Sequence, residues 1–251
     1  MTEVRAEKIK PYSDSRAKGS QVREMFDTIA PAYDFMNRAM TFGIDKLWRR
    51  RAVRTVADRS PRRILDVATG TGDLAIALAR RIAGATVTGI DLSEGMIEIG
   101  RRKIDAAGLA GRISLTAGDC LELPFDDDSF DAVTVAYGVR NFEHLDRGYD
   151  EMLRVLAPGG MLCVVELSTP VNPLVRPFYN LYTKAIIPAL GRLVSKDVRA
   201  YSYLPESIAA VPQGEAMTGL MEASGFTGAC FRRMTFGVCT IYIAYKNITN
   251  S

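Results

Sequence analysis

Apolar positions recur along this chain in two spacings. The helical spacing comes first. Val22, Met25, Phe26 and Ile29 lie three or four residues apart and predict one helix. Pro31 suits a first helical position, so a second helix is expected to open there, carrying Tyr33, Phe35, Met36 and Met40. Ile44, Leu47, Trp48, Val53 and Val56 mark a third, closed before Pro61. Short β-branched runs then alternate with helical patterns. Strands are expected from Ile64, over Ala85–Asp91, Ile113–Ala117, Ala132–Ala136 and Met161–Leu167, and helices after the first turn, over Ser93–Ala107 and up to Leu156. The chain closes with a helix over Gly214–Ser224 and two strands, Phe226–Arg233 and Thr235–Tyr245. Alternation of this kind predicts an α/β fold with a doubly wound sheet. Residues 1–20 are polar without period and read as a flexible tail; 21–251 read as a single domain, with 21–60 a helical lid.

Residues 168–205 interrupt the alternation. Leu174, Phe178, Tyr179, Leu181, Tyr182, Ile186, Ile187, Leu190, Leu193 and Val194 are interspersed with Arg176, Lys184, Arg192 and Lys196. This insertion is apolar and basic together. It reads as a helical pair packed on the sheet, as a cap for a greasy substrate, or as a surface that meets a bilayer.

Composition narrows the setting. The 251 residues are 47% hydrophobic and 24% charged, ordinary for a globular protein. No apolar run is long enough to span a bilayer, and Met1–Lys10 lacks the apolar core of a signal peptide. Cys120, Cys163, Cys230 and Cys239 show no ligand spacing, so neither a metal site nor a disulfide framework is expected; the expected setting is cytoplasmic. The net charge of +3 hides an asymmetry. Residues 1–63 hold 15 Lys and Arg against 8 Asp and Glu, densest at Arg49–Arg51 and Arg54. That excess is a solvated helix face or a contact with an anionic membrane surface or acidic substrate. No nucleic-acid-binding module accompanies it.

The chemistry gathers at strand ends. Asp66-Val-Ala-Thr-Gly70-Thr71-Gly72 turns the first strand into a helix. Glycines there let the backbone turn sharply and a ligand approach the helix amides. The glycines alone leave a nicotinamide and an adenosyl cofactor equally open, with a purely structural turn as a lesser alternative. Asp91 ends the second strand, where a carboxylate can accept both hydroxyls of a ribose; it could also cap the next helix. Asp119-Cys120 ends the third strand, and an acid there could accept an adenine amine. Tyr137-Gly-Val-Arg140-Asn141 follows the fourth strand and faces the same crevice. His144 is the only histidine; it reads as a residue of the following helix more readily than as a base.

Together, Asp66-x-x-x-Gly-x-Gly, Asp91, Asp119 with Leu123-Pro124-Phe125 behind it, and Ala157-Pro-Gly-Gly160 before a strand resemble the class I S-adenosylmethionine-dependent methyltransferases. A nicotinamide dehydrogenase predicts neither of the last two features. The resemblance implies a Rossmann-like, mostly parallel seven-stranded sheet whose last hairpin is antiparallel. A narrower match follows. Phe26-Asp27-x-Ile-Ala-x-x-Tyr33-Asp34-x-Met36-Asn37, Gly43, Leu47-Trp48-Arg49, Tyr137–Asn141, Glu166-Leu-Ser-x-Pro170 and Tyr201–Ile208 are similar to the signatures of the ubiquinone/menaquinone biosynthesis C-methyltransferases. The match covers about residues 21–246.

That resemblance implies S-adenosyl-L-methionine held by Gly70, Thr71, Gly72, Asp91, Asp119 and Cys120, with no metal. Relatives usually carry Ala at Cys120, so a backbone contact is expected there; several carry Ser at Ala136, and a cofactor hydrogen bond is expected to be missing. It places Tyr33, Arg140 and Asn141 around a polyprenylated quinol ring. Arg140 is always cationic, a poor base but a good partner for a quinolate. It is expected to polarise the ring hydroxyl, or a water that takes its proton; the alternative is a structural hydrogen bond to neighbouring helices. The expected reaction is C-methylation of demethylmenaquinol, or of a 2-methoxy-6-polyprenyl-1,4-benzoquinol, by a protein peripheral to the membrane's inner face. Another small acceptor, or a catalytically silent fold within a complex, would be the rival classes. Oligomeric state stays open, a homodimer included.

Overall fold

A computed structural model describes residues 4–12, 14–187 and 198–248. Its strands are β1 (Arg63–Val67), β2 (Thr86–Asp91), β3 (Ile113–Ala117), β4 (Phe130–Ala136), β5 (Leu156–Leu167), β6 (Thr227–Met234) and β7 (Cys239–Tyr245). They form one seven-stranded sheet in the order β3-β2-β1-β4-β5-β7-β6. The first five run parallel; β7 is antiparallel to both β5 and β6. The strand order reverses between β1 and β4, and in such a sheet the crevice beyond their carboxyl ends is the place for a ligand.

The described helices are α1 (Arg5–Lys8), α2 (Lys18–Thr41), α3 (Asp45–Ala57), α4 (Asp73–Arg81), α5 (Glu94–Ala106), α6 (Leu145–Val155), α7 (Arg176–Leu181), α8 (Val198–Ala210) and α9 (Glu215–Ala223). The central strands β1, β4, β5 and β7 are largely buried on both faces, which is why they read as apolar runs, while the edge strands β3 and β6 are partly exposed. Leu65, Val67, Val133 and Val135 pack toward Tyr149, Met152 and Val155 of α6 and Met217 and Met221 of α9. Ile64, Val87 and Ala132 pack toward Trp48, Val53 and Val56 of α3 and Leu74 and Leu78 of α4. A third cluster has no strand in it. Met25, Ile29 and Met36 of α2 meet Met96 of α5 and Ala200 and Tyr203 of α8, and so build a helical roof over the crevice.

Three sequence expectations change. The helices expected to break at Pro31 are one continuous helix, α2. Proline removes one donor, but burial of Met25, Ile29, Ala30 and Met36 on either side of it outweighs that loss. Residues 1–20 are expected to be a flexible tail; among the described ones, α1 and the start of α2 are helical and anchored by buried residues, while residues 14–17 are exposed. Ala6 in α1 and Lys18 are fully buried, and Gln21 accepts the amide of Tyr12 through Oε1 (2.9 Å). β5 begins at Leu156, before the Pro-Gly-Gly turn, because Leu156 pairs with Phe130 ahead of a register shift. In the insertion, α7 runs into a π-helical turn, Tyr182–Ile186. Leu190, Arg192, Leu193, Val194 and Lys196 lie outside the described residues. All four cysteines are free thiols, only Cys230 exposed.

Candidate active site

The crevice is built on two left-handed turns. Ala68 (φ 51°) follows β1 and Tyr137 (φ 60°) follows β4, conformations that residues with a Cβ rarely adopt. Between them, Asp66 lies under the floor at 1% exposure. Its carboxylate accepts the hydroxyls of Thr69 (2.6 Å) and Thr134 (2.7 Å), and burial pushes its pKa up to about 6. Gly70 (φ 56°) and Gly72 (φ 75°) hold the turn into α4. A side chain at either would be strained, so here the glycines are required by the backbone.

Four cavities meet at Tyr33, and two of them open from this turn. The first, about 740 Å³ including its mouth, is lined by Gly70, Asp91, Asp119, Cys120, Asn141 and the apolar Ile90, Met96 and Leu121. Asp91 accepts the Gly70 amide (2.8 Å) on one oxygen and the Ser93 amide (2.9 Å) on the other. It therefore braces the α5 start as well as facing the cavity, and desolvation pushes its pKa up to about 6. Asp119 is exposed and accepts the Leu121 amide (2.9 Å). The Cys120 thiol is buried and its pKa is raised by desolvation.

The second cavity is polar. Arg49, Asp66, Thr71 and Asp73 line it. Thr71 is not free there: its hydroxyl donates to Asp34 (2.6 Å) and accepts from Lys103 (2.9 Å). Arg49 pairs with Asp73 (3.0 Å) and Asp45 (3.2 Å). The basic triplet of the sequence therefore divides. Arg49 turns inward, while Arg50 and Arg51 stay exposed.

The third and fourth cavities lie on the far side of Tyr33. The third, small, is walled by Met25, Ile29, Arg140, Asn141 and Tyr203. The fourth, about 1240 Å³ including its mouth, is mostly apolar: Met40, Trp48, Leu167, Phe178, Tyr182 and Ile187 are among its walls, with Asp45, Arg49, Tyr137 and Arg140 among the polar ones. Tyr33 lines all four cavities.

Arg140 is buried, at 6% exposure, and its structural partners lie on a strand and its own turn rather than on neighbouring helices. Its Nη1 donates to Glu166 Oε1 at 2.7 Å and to the Tyr137 carbonyl, and its amide donates to Glu166 Oε2 (3.3 Å). Asn141 Oδ1 accepts from the Tyr203 hydroxyl (3.1 Å). Two buried polar atoms have no partner among the described residues: Arg140 Nε and the Tyr137 hydroxyl. Both residues line the apolar cavity. Such orphans are costly unless something else satisfies them.

The residues singled out in the sequence therefore converge, with two exceptions. Gly72 lines none of these cavities and acts through the backbone. His144, exposed at the start of α6, is not among their walls either. Sequence reasoning assigned no role to Glu166, Tyr137 or Lys103. Glu166 had a visible signal, an acid at the end of an otherwise apolar strand. Tyr137 sat in a noted motif, but its strain and unpartnered hydroxyl are tertiary facts.

Comparison with known proteins agrees with this geometry. A demethylmenaquinone methyltransferase of Bacteroides fragilis is 50% identical over 240 residues, covering 96% of this chain and 98% of that protein. A ubiquinone/menaquinone biosynthesis C-methyltransferase of Geobacter sulfurreducens is 44% identical, covering 92% and 90%. Among solved structures, a Thermotoga maritima S-adenosylmethionine-dependent methyltransferase, described as a possible histamine N-methyltransferase, superposes with a TM-score of 0.63 at 19% identity, over 89% of this chain and 99% of that one. The [4+2]-cyclase SpnF gives 0.59 at 19% identity, over 92% and 96%. A cyclase and a methyltransferase sharing one architecture show that the fold alone does not select the reaction. The sequence does: a family model matches residues 14–246, and the chain belongs to the ubiE/COQ5 methyltransferase family.

Proposed function

We propose that this enzyme methylates a ring carbon of a polyprenylated quinol, demethylmenaquinol first, with S-adenosylmethionine as donor. The observation that carries the reading is an apolar cavity two of whose wall residues, Arg140 and Tyr137, each hold a buried polar atom without a partner among the described residues, with Tyr33 shared between it and the Asp91 cavity. A quinol ring has hydroxyl oxygens to satisfy Arg140 Nε and the Tyr137 hydroxyl, and an apolar tail to fill the rest. The relatives' names support the choice of ring.

The cofactor residues fit an adenosyl group by their chemistry. Asp91 offers a carboxylate to the ribose hydroxyls, Asp119 and the Cys120 backbone an edge to the adenine, and Ile90, Met96 and Leu121 an apolar slot for its faces. Gly70, Thr71 and the polar cavity suit a zwitterionic amino-acid end, with Asp66 for the ammonium and Arg49 for the carboxylate. When bound, the cofactor supplies a methyl already activated on a sulfonium. The protein must then align the acceptor and favour its ionised form. Arg140, held by Glu166, offers Nε to the ring oxygen and stabilises the quinolate. Asn141, fixed by Tyr203, and Tyr33, between the compartments, position the ring. Water or the quinol's surroundings take the proton; Arg140 itself does not accept it.

The tail leaves through a mouth edged by Phe42 and Phe178, exposed at 79% and 75%. Leu174 and Leu181 are exposed nearby in the chain, and Lys46, Arg50 and Arg51 supply positive charge. No described helix is long and apolar enough to cross a membrane. The reading is a protein that rests on an anionic bilayer and draws its acceptor from it. The test is methyl transfer from labelled S-adenosylmethionine to reduced demethylmenaquinone and to a 2-methoxy-6-polyprenyl-1,4-benzoquinol in parallel. Label in the naphthoquinol is expected. Label in the benzoquinol alone would move the enzyme to the other pathway; label in neither, with calorimetric cofactor binding intact, would refute the acceptor assignment.

A further inference from the structure

Lys18 is the most deeply buried lysine among the described residues, at 1% exposure, and it does not form an ion pair. Its ammonium donates to three main-chain carbonyls: Ala6 (2.9 Å), Arg140 (3.0 Å) and Phe142 (2.9 Å). Those three bonds satisfy its three protons. Two of the acceptors flank Asn141, on the turn that carries Arg140 and Asn141; the third belongs to α1, distant in sequence. The stitching is reciprocal. Glu143 accepts the amides of Lys18 (3.2 Å) and Gly19 (2.9 Å) at the start of α2, and Glu7 accepts the Leu145 amide (2.8 Å) at the start of α6. Gly19, Val22 and Phe26, which follow directly, line the Asp91 cavity.

A buried ammonium is expensive to keep, and burial pulls the pKa of this one down to about 8. A leucine or methionine would fill a merely structural niche at less cost. What an apolar residue cannot do is bind the carbonyls on both sides of Asn141 at once. Backbone carbonyls left without that donor would reorient, and the turn's side chains with them. Misplacement of a reacting group by about 1 Å can cost about 10²-fold in rate.

We propose that Lys18 is a positioning residue: its ammonium sets the backbone of the Val139–Asn141 turn so that Arg140 and Asn141 face the acceptor, and it makes α1 and the start of α2 part of the active site. This rests on the reading that Arg140 and Asn141 serve the acceptor. It goes beyond that reading in assigning the geometry of the turn to a lysine more than a hundred residues away in sequence.

The experiment compares three variants of the full chain, each at saturating S-adenosylmethionine and demethylmenaquinol and well below its own melting temperature. Lys18→Met removes the three donors. Met217→Ala opens a cavity between α9 and Tyr149, away from the crevice, and controls for lost stability. Arg140→Ala tests the underlying reading. The expected result is a fall in kcat of tenfold or more for Lys18→Met, with S-adenosylhomocysteine affinity within threefold of the parent and Met217→Ala near parental turnover. Turnover of Lys18→Met within twofold of the parent, or a loss no larger than that of Met217→Ala, overturns the proposal. If Arg140→Ala is inactive while Lys18→Met turns over within twofold of the parent, only the positioning role falls; if Arg140→Ala keeps near-normal turnover, the acceptor reading falls and the positioning role with it. Should Lys18→Met fail to fold, Lys18→Gln, which keeps two donors, takes its place with the same two outcomes.

Discussion

Glu166 and Arg140 form an ion pair with side-chain exposures of 2% and 8% and an N–O distance of 2.7 Å. At a charge separation of about 4 Å and an effective dielectric of about 20, their attraction is about 4 kcal/mol. Against it stands the desolvation of both groups, so the pair taken whole contributes little net stability. Breaking it is a different matter. Glu166→Leu strands a guanidinium in the interior, takes the acceptor from the Leu167 amide (2.8 Å) and from the Arg140 amide, and should cost about 3–5 kcal/mol. For a domain of this size that is a fall in melting temperature of about 6–20 °C. The double variant Arg140→Met/Glu166→Leu removes both charges and should recover much of the loss, giving a coupling of about 2 kcal/mol or more in a double-mutant cycle. The assay is urea unfolding of the parent, both single variants and the double. A loss below about 1 kcal/mol for Glu166→Leu, or additive single effects, would mean that the pair is wet. The argument that Glu166 holds Arg140 toward the acceptor would then fail.

Other outcomes follow from the same site. Asp66 has its pKa raised to about 6 by burial, so the folded state favours its protonated form. Its ionisation therefore costs stability above the ordinary carboxylate value, and that cost disappears as pH falls through 6 toward 4. Relative to Asp66→Asn, the parent should gain up to about 3 kcal/mol between pH 7 and pH 4 in parallel urea titrations; a flat difference would refute the assignment. Tyr137→Phe removes an unpartnered buried hydroxyl. It should leave the ligand-free protein as stable or about 1 kcal/mol more so by urea unfolding, while raising the quinol KM severalfold. Lost stability would show that the hydroxyl already has a partner. Phe42→Ser/Phe178→Ser should weaken sedimentation with anionic phosphatidylglycerol vesicles severalfold, with turnover on a short-tailed quinol preserved; unchanged binding would place the membrane-facing surface elsewhere.

What was legible in the chain was what local chemistry determines. Strands β1, β4 and β5, buried on both faces, announce themselves as apolar runs, and the acids Asp91 and Asp119 stand at strand ends because the crevice rule puts ligand groups there. The misreadings share a cause. Pro31 looks like a helix start until Met25 and Ile29 on one side and Met36 on the other are known to share one roof. Lys18 looks like tail because a lysine among polar residues is nearly always solvated; its three carbonyl acceptors come from chain segments that no spacing rule brings together. Arg140 reads as the partner of a quinolate or of the neighbouring helices; Glu166 escapes notice because it lies 26 residues on, in another strand. Periodicity reports which face a residue turns to the core, not which atom it meets there.

The antiparallel strand β7 carries a consequence for biosynthesis. It lies between β5 and β6 in the sheet although it follows both in the chain. Until it emerges from the ribosome, β5 presents an unpaired apolar edge, Met161–Leu167, to whatever surrounds the nascent chain, and β6 has no neighbour to dock on. The sheet is therefore completed by insertion rather than by addition at its margin. A stall or frameshift just before Cys239 would leave most of the strands made but one gap in the ladder, a species poised to pair with another unfinished copy.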